Sequence, residues 1–328
     1  SRRADLDAAR GLAIILVVLG HLIARAHDAP PGYEGYLLAK SVIYDFHMPL
    51  FLYLSGLTFF LSSQLNPPHG YAHYVRSRSE RLLIPFVLFG VVITVGKMLA
   101  QYVIFVDQPP KSLVQGVTAI FVGSSDSPVF SIWYMWVLFV YSVATPILWR
   151  MMNGYLFAII PVLLIAPVFI TAPQILYLDV VIRFAGFFLL GGLSARMFPQ
   201  IFRLSPLYIP ISLLGFAASL AIVHNAPPEL RIVICGLASI PAIHAVLSLR
   251  EWHQTDILAW LGRNSFVIYL LNTVFIGLTK GIVLRVAPVL IPFVPLTLGL
   301  LFAAGLLGPI YLRELGFKFW RPLYQLTR

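Results

Sequence analysis

The sequence is poor in cysteine and in charged residues. Its 328 residues include one cysteine, Cys235, so no disulfide can form within the chain and no cysteine cluster is available to a metal. Only 11% of the residues are charged, whereas 59% are hydrophobic, and the mean hydropathy is +0.87. This composition excludes an ordinary water-soluble globule and indicates a protein of the lipid bilayer.

Long polar segments are scarce as well. No stretch is long and polar enough to form a separate soluble domain, so we expect one membrane domain over residues 1–328. No glycine-rich nucleotide motif is visible to support an ATP-driven pump, and the sequence predicts no metal site. Nothing resembles a cleavable signal peptide, so we expect the first apolar run to be retained as a permanent helix.

The sequence does contain a series of long apolar runs. A membrane-spanning helix needs about 17 to 25 apolar residues, and this length predicts an all-α polytopic membrane protein with about ten transmembrane helices in one bundle. A shorter apolar piece at 113–122 is expected to be interfacial or re-entrant. The predicted helices are 8–26, 36–62, 82–105, 130–149, 155–172, 175–197, 205–224, 230–248, 257–284 and 288–312.

The basic residues predict the orientation of this bundle. Ten helices place both termini on one side, and Lys and Arg near helix ends are retained in the cytoplasm. The side of the termini carries Arg2, Arg3, Arg10, Arg76, Arg78, Arg81, Arg150, Arg196, Arg203, Arg250, Arg263, Arg313, Lys318, Arg321 and Arg328, and the other side carries Arg25, Lys40, Lys111, Arg231, Lys280 and Arg285. We therefore expect an integral protein of the cytoplasmic (inner) membrane with both termini cytoplasmic. Lipid-surface attraction then accounts for the net charge of +10 better than nucleic-acid binding does.

Ionisable groups at membrane depth are costly, so each one needs a reason. At 1.5 Å per residue, His21 of the first helix and Asp45 of the second lie at a similar predicted depth. A carboxylate beside a histidine suits a general base, and we name both as candidate catalytic residues. The alternative is that His21 only packs against a backbone carbonyl. His47 is a candidate substrate-binding residue, although it could merely satisfy the turn made by Pro49.

Arginines cluster at the predicted cytoplasmic mouth. The segment "RSRSERLLIPF" holds Arg76, Arg78 and Arg81, and Arg10 stands at the same face. Guanidinium groups bind phosphates bidentately, which makes these four candidate donor-binding residues. Lipid headgroups are an equally good ligand on spacing alone.

Polar residues also mark the ninth predicted helix. Ser265 and Asn272 lie two turns apart on one of its faces, where they could line a cavity and bind substrate or could hold another helix.

Five segments together resemble a known family. They are "DLDAARGLAIILVVLGHL", "FHMPLFLYLSGLTFF", "RSRSERLLIPF", "WYMWVLFVYS" and "LGRNSFVIYLLN". In order and spacing they are similar to the integral-membrane acyltransferase family 3, in its branch of fucose 4-O-acetylase-like sugar O-acetyltransferases. The resemblance covers the chain from Asp5 to about the end of the tenth helix.

The resemblance implies a ten-helix enzyme that moves an acetyl group from acetyl-CoA to a hydroxyl of a sugar or a lipid-linked or surface glycan. Arg10 and His21 match the family's first-helix arginine and histidine, and Arg78 with Arg81 matches its R-x-x-R element. His21 would act as general base or as a carrier of the acyl group. Where many members have histidine after "YLL", this chain has Asn272, so a mechanism with a second histidine there is not expected.

Two other functions remain open from the residues. A proton-coupled transporter or permease could use His21 and Asp45 as a proton relay. A non-catalytic membrane partner could use the same polar groups only to hold helices together. Acetyl-CoA is the expected acyl donor, membrane lipid and a glycan acceptor are the expected partners, and the sequence predicts neither the acceptor's identity nor the oligomeric state.

Overall fold

The computed structural model describes residues 3–24, 29–62, 64–67, 70–107, 109–122, 127, 129–197 and 205–327. Within these ranges the protein is all helical, as the sequence predicts. The one β-type pairing there is an isolated bridge between Val122 and Ile175. Four of the basic residues used to predict the orientation lie outside the described residues: Arg2, Arg25, Arg203 and Arg328.

A helix occupies each of the ten predicted segments. The piece at 113–122 holds a six-residue helix. The α-helices of the described residues are α1 (Ala4–His21), α2 (Glu34–Leu61), α3 (Tyr71–Arg78), α4 (Ile84–Ala100), α5 (Leu113–Thr118), α6 (Trp133–Met151), α7 (Ile160–Phe169), α8 (Leu178–Met197), α9 (Tyr208–Ile222), α10 (Pro228–Ser248), α11 (Ile257–Arg263), α12 (Ser265–Val286), α13 (Val294–Tyr311) and α14 (Arg321–Leu326).

The structure does not confirm the predicted count of about ten spans. Among the described residues, five helices are long and apolar enough to cross a membrane, and a sixth is added if α6 and the bent segment after it, 109° apart, form one span. The five are Tyr71–Ala100, Leu178–Met197, Pro228–Ser248, Ser265–Val286 and Val294–Phe319. Helices α1, α7 and α9 are not among the five. Helix α1 carries three charges over its 18 residues, and α7 and α9 have only 10 and 15 residues.

Helices α1 and α2 form the centre of the bundle. Helix α2 packs against α8, α10 and α1, while α1 also packs against α11 and α12. Most residues in the second half of α2 are buried, which places this polar-marked helix inside protein rather than against lipid. Polar groups of a membrane helix need such cover, because hydrocarbon offers them no hydrogen bonds.

Helices α1 and α11 approach each other at a glycine. A Cβ built on Gly262 would lie 1.7 Å from the backbone oxygen of Asp7, a distance that no side chain tolerates. Small residues allow this kind of close backbone contact between helices. The contact fixes the end of α11, with Arg263, beside the first two turns of α1.

The variant Gly262→Ala is expected to destabilise the protein by about 1–3 kcal/mol, because the added methyl group must push α11 away from α1. Thermal unfolding of the purified protein in detergent measures the change. Gly96→Ala is the matched control, since Gly96 lies in α4 with no atom within 4 Å of its added Cβ, and it should leave the unfolding temperature unchanged or raised. Equal melting temperatures for the two variants would contradict the close packing.

Candidate active site

A cleft of about 1380 Å³ opens at one end of the bundle. The cleft lies at the starts of α1 and α12 and at the ends of α2 and α13. The segment that joins α3 to α4 borders it as well. Its lining is rich in arginine: Arg3, Arg10, Arg81, Arg263 and Arg313. Asp7 and Glu80 are the acidic residues of the lining, so the cleft carries an excess of positive charge that favours a ligand with several negative charges.

The cleft arginines differ in how they are held. Arg313 donates to Asn264 at 2.5 Å and to Glu314 at 2.6 Å, and Arg263 donates to the backbone oxygen of Gln254 at 2.7 Å. Arg10 lies 3.9 Å from the carboxylate of Asp7. These contacts orient the guanidinium groups, which lowers the entropy lost when an anion binds.

Two of the cleft arginines lie in π-helical turns. Arg81 is in the π turn Ser79–Leu83 and Arg313 is in the π turn Leu312–Gly316. Pro85 has no N–H to donate to the carbonyl of Arg81 four residues earlier, which explains why the helix widens there. Such turns are rare in helices and frequently occur at functional sites.

The predicted arginine cluster is only partly at the cleft. Arg10 and Arg81 line it, whereas Arg76 is 80% exposed and pairs with Glu80, and the Arg78 guanidinium lies 5.2 Å from the centre of the Tyr74 ring. Three further arginines of the lining are not among the predicted donor-binding residues: Arg3, Arg263 and Arg313. The signal for Arg263 was present, because it lies within the "LGRNSFVIYLLN" segment.

The imidazole of His21 is hydrogen-bonded to Asn272. The amide nitrogen of Asn272 donates to the backbone oxygens of Ile268 and Tyr269, at 2.9 and 2.8 Å, so the amide oxygen faces the ring. That oxygen accepts from Nδ1 of His21 at 3.0 Å. Because Nδ1 then carries the proton, Nε2 has the lone pair and is able to accept one.

His47 lies near His21, because the Tyr44 side chain contacts both the His47 ring and the residue before His21. The Tyr44 ring packs against Gly20, beside His21, and its centre is 4.9 Å from the centre of the His47 ring. Nδ1 of His47 donates to the backbone oxygen of Ile43 at 2.8 Å, which leaves Nε2 of this buried ring as its acceptor. Two imidazoles with the same tautomer therefore lie at one level of the bundle.

Asp45 does not pair with His21 in the structure. Its carboxylate accepts from Nε of Arg231 at 3.2 Å, so the partner of Asp45 is a cation of α10 and not the predicted His21. The hydrogen-bond partner of the imidazole is instead Asn272, which the sequence suggests as a substrate-binding residue. Ser265 is the first residue of α12 and is not part of the cleft lining.

The cleft and His21 lie on one face of α1. Eleven residues separate Arg10 from His21, which is about three helical turns and about 17 Å. Ile14 and Val17, between them on that face, are fully buried. The lining of the cleft therefore ends at Arg10, short of the imidazole.

Three aromatic rings fill the bundle between the cleft and His21. Phe51 lies 4.9 Å from Tyr134 and 6.2 Å from Tyr269, and the two tyrosine rings are 5.0 Å apart. Phe51 is one turn from His47 along α2, and Tyr269 is about one turn from Asn272 along α12. We call Phe51, Tyr134 and Tyr269 the aromatic cluster.

For the acyl transfer that the sequence resemblance implies, the variant Asn272→Leu should lower kcat at least about tenfold while leaving the affinity for the donor unchanged. The reason is that the imidazole of His21 loses the acceptor that fixes its tautomer and orientation. Steady-state kinetics separate kcat from KM. Asn272→Asp keeps the acceptor oxygen for Nδ1 but loses the two N–H bonds to Ile268 and Tyr269, so it should restore part of the rate. A rate for Asn272→Leu equal to that of the unmodified protein would show that the imidazole does not need this acceptor.

Comparison with known protein families matches residues 3–313 to Acyl_transf_3, a family described as an acyltransferase domain. The nodulation protein NolL of Sinorhizobium fredii is 30% identical over 138 residues, and that of Mesorhizobium japonicum is 31% identical over 142 residues. These alignments cover 42% and 43% of the chain and 34% of each relative, so the chain spans about a third of the length of these curated proteins. No solved structure matches the chain significantly.

Proposed function

The chain belongs to this acyltransferase family, and we propose that it is a membrane-embedded O-acetyltransferase that uses acetyl-CoA as its donor. The observation that carries the proposal is the arrangement of α1, where an arginine of a basic cleft and an oriented imidazole occupy one helix face. The acceptor is a hydroxyl of a sugar or of a lipid-linked or surface glycan. In this proposal the cleft binds the donor, and His21 on the same helix face carries out the transfer.

The cleft has the chemistry that a polyphosphate ligand requires. Acetyl-CoA carries phosphates on its nucleotide half, and arginine binds phosphate oxygens through paired N–H donors. Arg81 has no carboxylate partner among the described residues, so its guanidinium is available to such a ligand. The volume of the cleft exceeds the range of most small-molecule sites, about 300–1,000 Å³, and is sufficient for a ligand of this size.

His21 performs the chemical step in this proposal. Nε2 takes the proton of the acceptor hydroxyl while the oxygen attacks the carbonyl carbon of the thioester. The carbon–sulfur bond then breaks, and the departing thiolate takes the proton from Nε2, which regenerates neutral His21 and gives free CoA. Nδ1–H stays bonded to Asn272 throughout and supports the transient imidazolium.

An acyl-histidine intermediate is a variant of the same chemistry. Nε2 would attack the thioester carbon, the carbon–sulfur bond would break, and CoA would leave as the thiolate, which takes a proton from water. The acceptor oxygen would then take the acetyl group from the imidazole and give its proton to Nε2 of His47, which returns it to water. This route lets donor and acceptor visit His21 at different times and from different sides. His47, at the same level, would accept a hydrogen bond from the acceptor hydroxyl through Nε2.

The pantetheine arm must pass the aromatic cluster to bring the thioester to His21. Phe51, Tyr134 and Tyr269 pack across this route, as do Ile14 and Val17 of α1. Rotation of these rings away from the axis of the bundle is therefore a step of donor binding in this proposal.

The ten-helix topology belongs to the proposal as well. Helix α1 carries the cleft charges at its start, and α2 packs against α8 and α10, which supports a topology in which neighbouring helices cover the polar groups of both helices at membrane depth. In this topology the basic cleft and both termini face the cytoplasmic side of the inner membrane. His21 lies toward the opposite side, where the glycan acceptor enters.

The pairing of Asp45 with Arg231 argues against the transporter alternative, because the carboxylate is engaged away from His21 and no His21–Asp45 relay is formed. The decisive experiment supplies radiolabelled acetyl-CoA to the purified protein in lipid nanodiscs. Release of CoA and transfer of label to added glycan lipids support the enzyme. Failure to bind or to consume acetyl-CoA, with proton-coupled uptake in vesicles instead, would overturn the proposal.

A further inference from the structure

Residues after position 313 build one wall of the cleft. Pro322, Tyr324, Gln325 and Leu326 line it, and all four belong to α14. The match to the acyltransferase family ends at residue 313. This wall is therefore supplied by a segment outside the matched domain.

The segment is held firmly against the bundle. The Phe317 ring lies 6.3 Å from that of Phe89, and Leu323 packs against the hydrophobic core. Thr327 is fully buried, with its hydroxyl donating to the backbone oxygen of Leu323 at 3.0 Å. The packing of Phe317 and Leu323 holds the segment against the bundle, and the Thr327 hydrogen bond closes α14 around Tyr324.

Tyr324 lies beside a cleft arginine. The Arg313 guanidinium is 6.0 Å from the centre of the Tyr324 ring, and the same guanidinium is bonded to Asn264 and Glu314. Trp260 of α11 also contributes to the lining. The cleft thus offers aromatic surface next to its phosphate-binding charges.

This combination is what a nucleotide requires. Guanidinium groups bind the phosphates, and an aromatic side chain stacks on the base. We propose that Tyr324 is the stacking platform for the adenine base of the acyl donor, so that the C-terminal segment completes the nucleotide half of the site. The inference rests on the proposed function, in which the cleft binds acetyl-CoA.

The test compares two donors in Tyr324→Ala. The Kd of acetyl-CoA should rise about fivefold or more, as expected from the loss of one base–aromatic stack. The KM of acetyl-pantetheine, which has no nucleotide, should stay unchanged. Tyr324→Phe keeps the ring and should bind acetyl-CoA as the unmodified protein does, and Tyr324→Leu replaces the alanine variant if that fails to fold.

Trp320→Ala is the matched control, because Trp320 is an aromatic residue of the same segment, 63% exposed and absent from the lining. Equal Kd values for acetyl-CoA in Tyr324→Ala and Trp320→Ala would overturn the inference, as would an equal loss for both donors. If the unmodified protein binds no acetyl-CoA at all, the proposed function fails. If Arg81→Ala weakens acetyl-CoA but Tyr324→Ala does not, only the present inference fails.

Discussion

Replacing His21 with alanine is expected to lower the rate of acetyl transfer by about 10²- to 10⁴-fold, the range for loss of a general base. The same variant should lose acetyl-CoA hydrolysis, because both reactions use the lone pair on Nε2. Release of CoA and transfer of label, measured on protein in nanodiscs, report both rates. The donor's Kd should not change, since the imidazole lies about 17 Å along α1 from the cleft arginine Arg10.

His253→Ala provides the control for this experiment. His253 is exposed, lies before α11 and is not part of the cleft lining, so its removal should leave transfer unchanged. Asn272 is left intact in His21→Ala, and the unfolding temperature shows whether the protein stays folded. Transfer retained by a folded His21→Ala protein would refute the assignment of the base. Hydrolysis retained without transfer would limit His21 to activating the acceptor.

The second large effect is expected at Arg81. Arg81→Ala should weaken acetyl-CoA binding by about 10- to 100-fold, because a hydrogen bond to a charged group contributes about 1.5–3 kcal/mol. The loss should appear in Kd and KM and much less in kcat, since the guanidinium is far from the reacting carbon. Raising the salt concentration should weaken binding by the unmodified protein in the same direction.

Arg76 offers a matched control from the same short segment. It is 80% exposed, pairs with Glu80 and lies outside the cleft lining, so Arg76→Ala should change the Kd of acetyl-CoA by less than about twofold. Equal losses in Arg76→Ala and Arg81→Ala would indicate a diffuse attraction to the basic surface. No loss in either variant would assign these arginines to lipid headgroups.

The positions of the helices could be predicted from the sequence, because apolar runs in a membrane protein must be helical to satisfy their backbone groups. The number of spans could not be predicted with equal success. The predicted segments of α7 and α9 fold into helices of only 10 and 15 residues, and α1 begins with Asp5, Asp7 and Arg10. Length and composition describe one helix at a time. Whether a helix with such charges can cross a membrane depends on the neighbouring helices that bury the charges.

The site could be predicted in part. Arg10 and His21 belong to one helix, so their common face follows from the helical period alone. The partners of polar groups do not follow from it: Asn272 is 251 residues from His21, and Arg231 is 186 residues from Asp45. Depth along a helix predicts only a level for Asp45, whereas the direction of its side chain depends on how α2 packs against α10. These contacts are tertiary, and one sequence does not report them.

The aromatic cluster also bears on the electrical properties of the membrane. A channel of water reaching a protonatable ring from both sides would let protons leak down their gradient. Phe51, Tyr134 and Tyr269 pack against one another between the basic cleft and the imidazole, so side chains rather than a continuous file of water would fill that path in the proposed topology. If α1 and α2 cross an energised membrane as proposed, this packing would let the protein keep reactive groups at that depth without opening a path for protons.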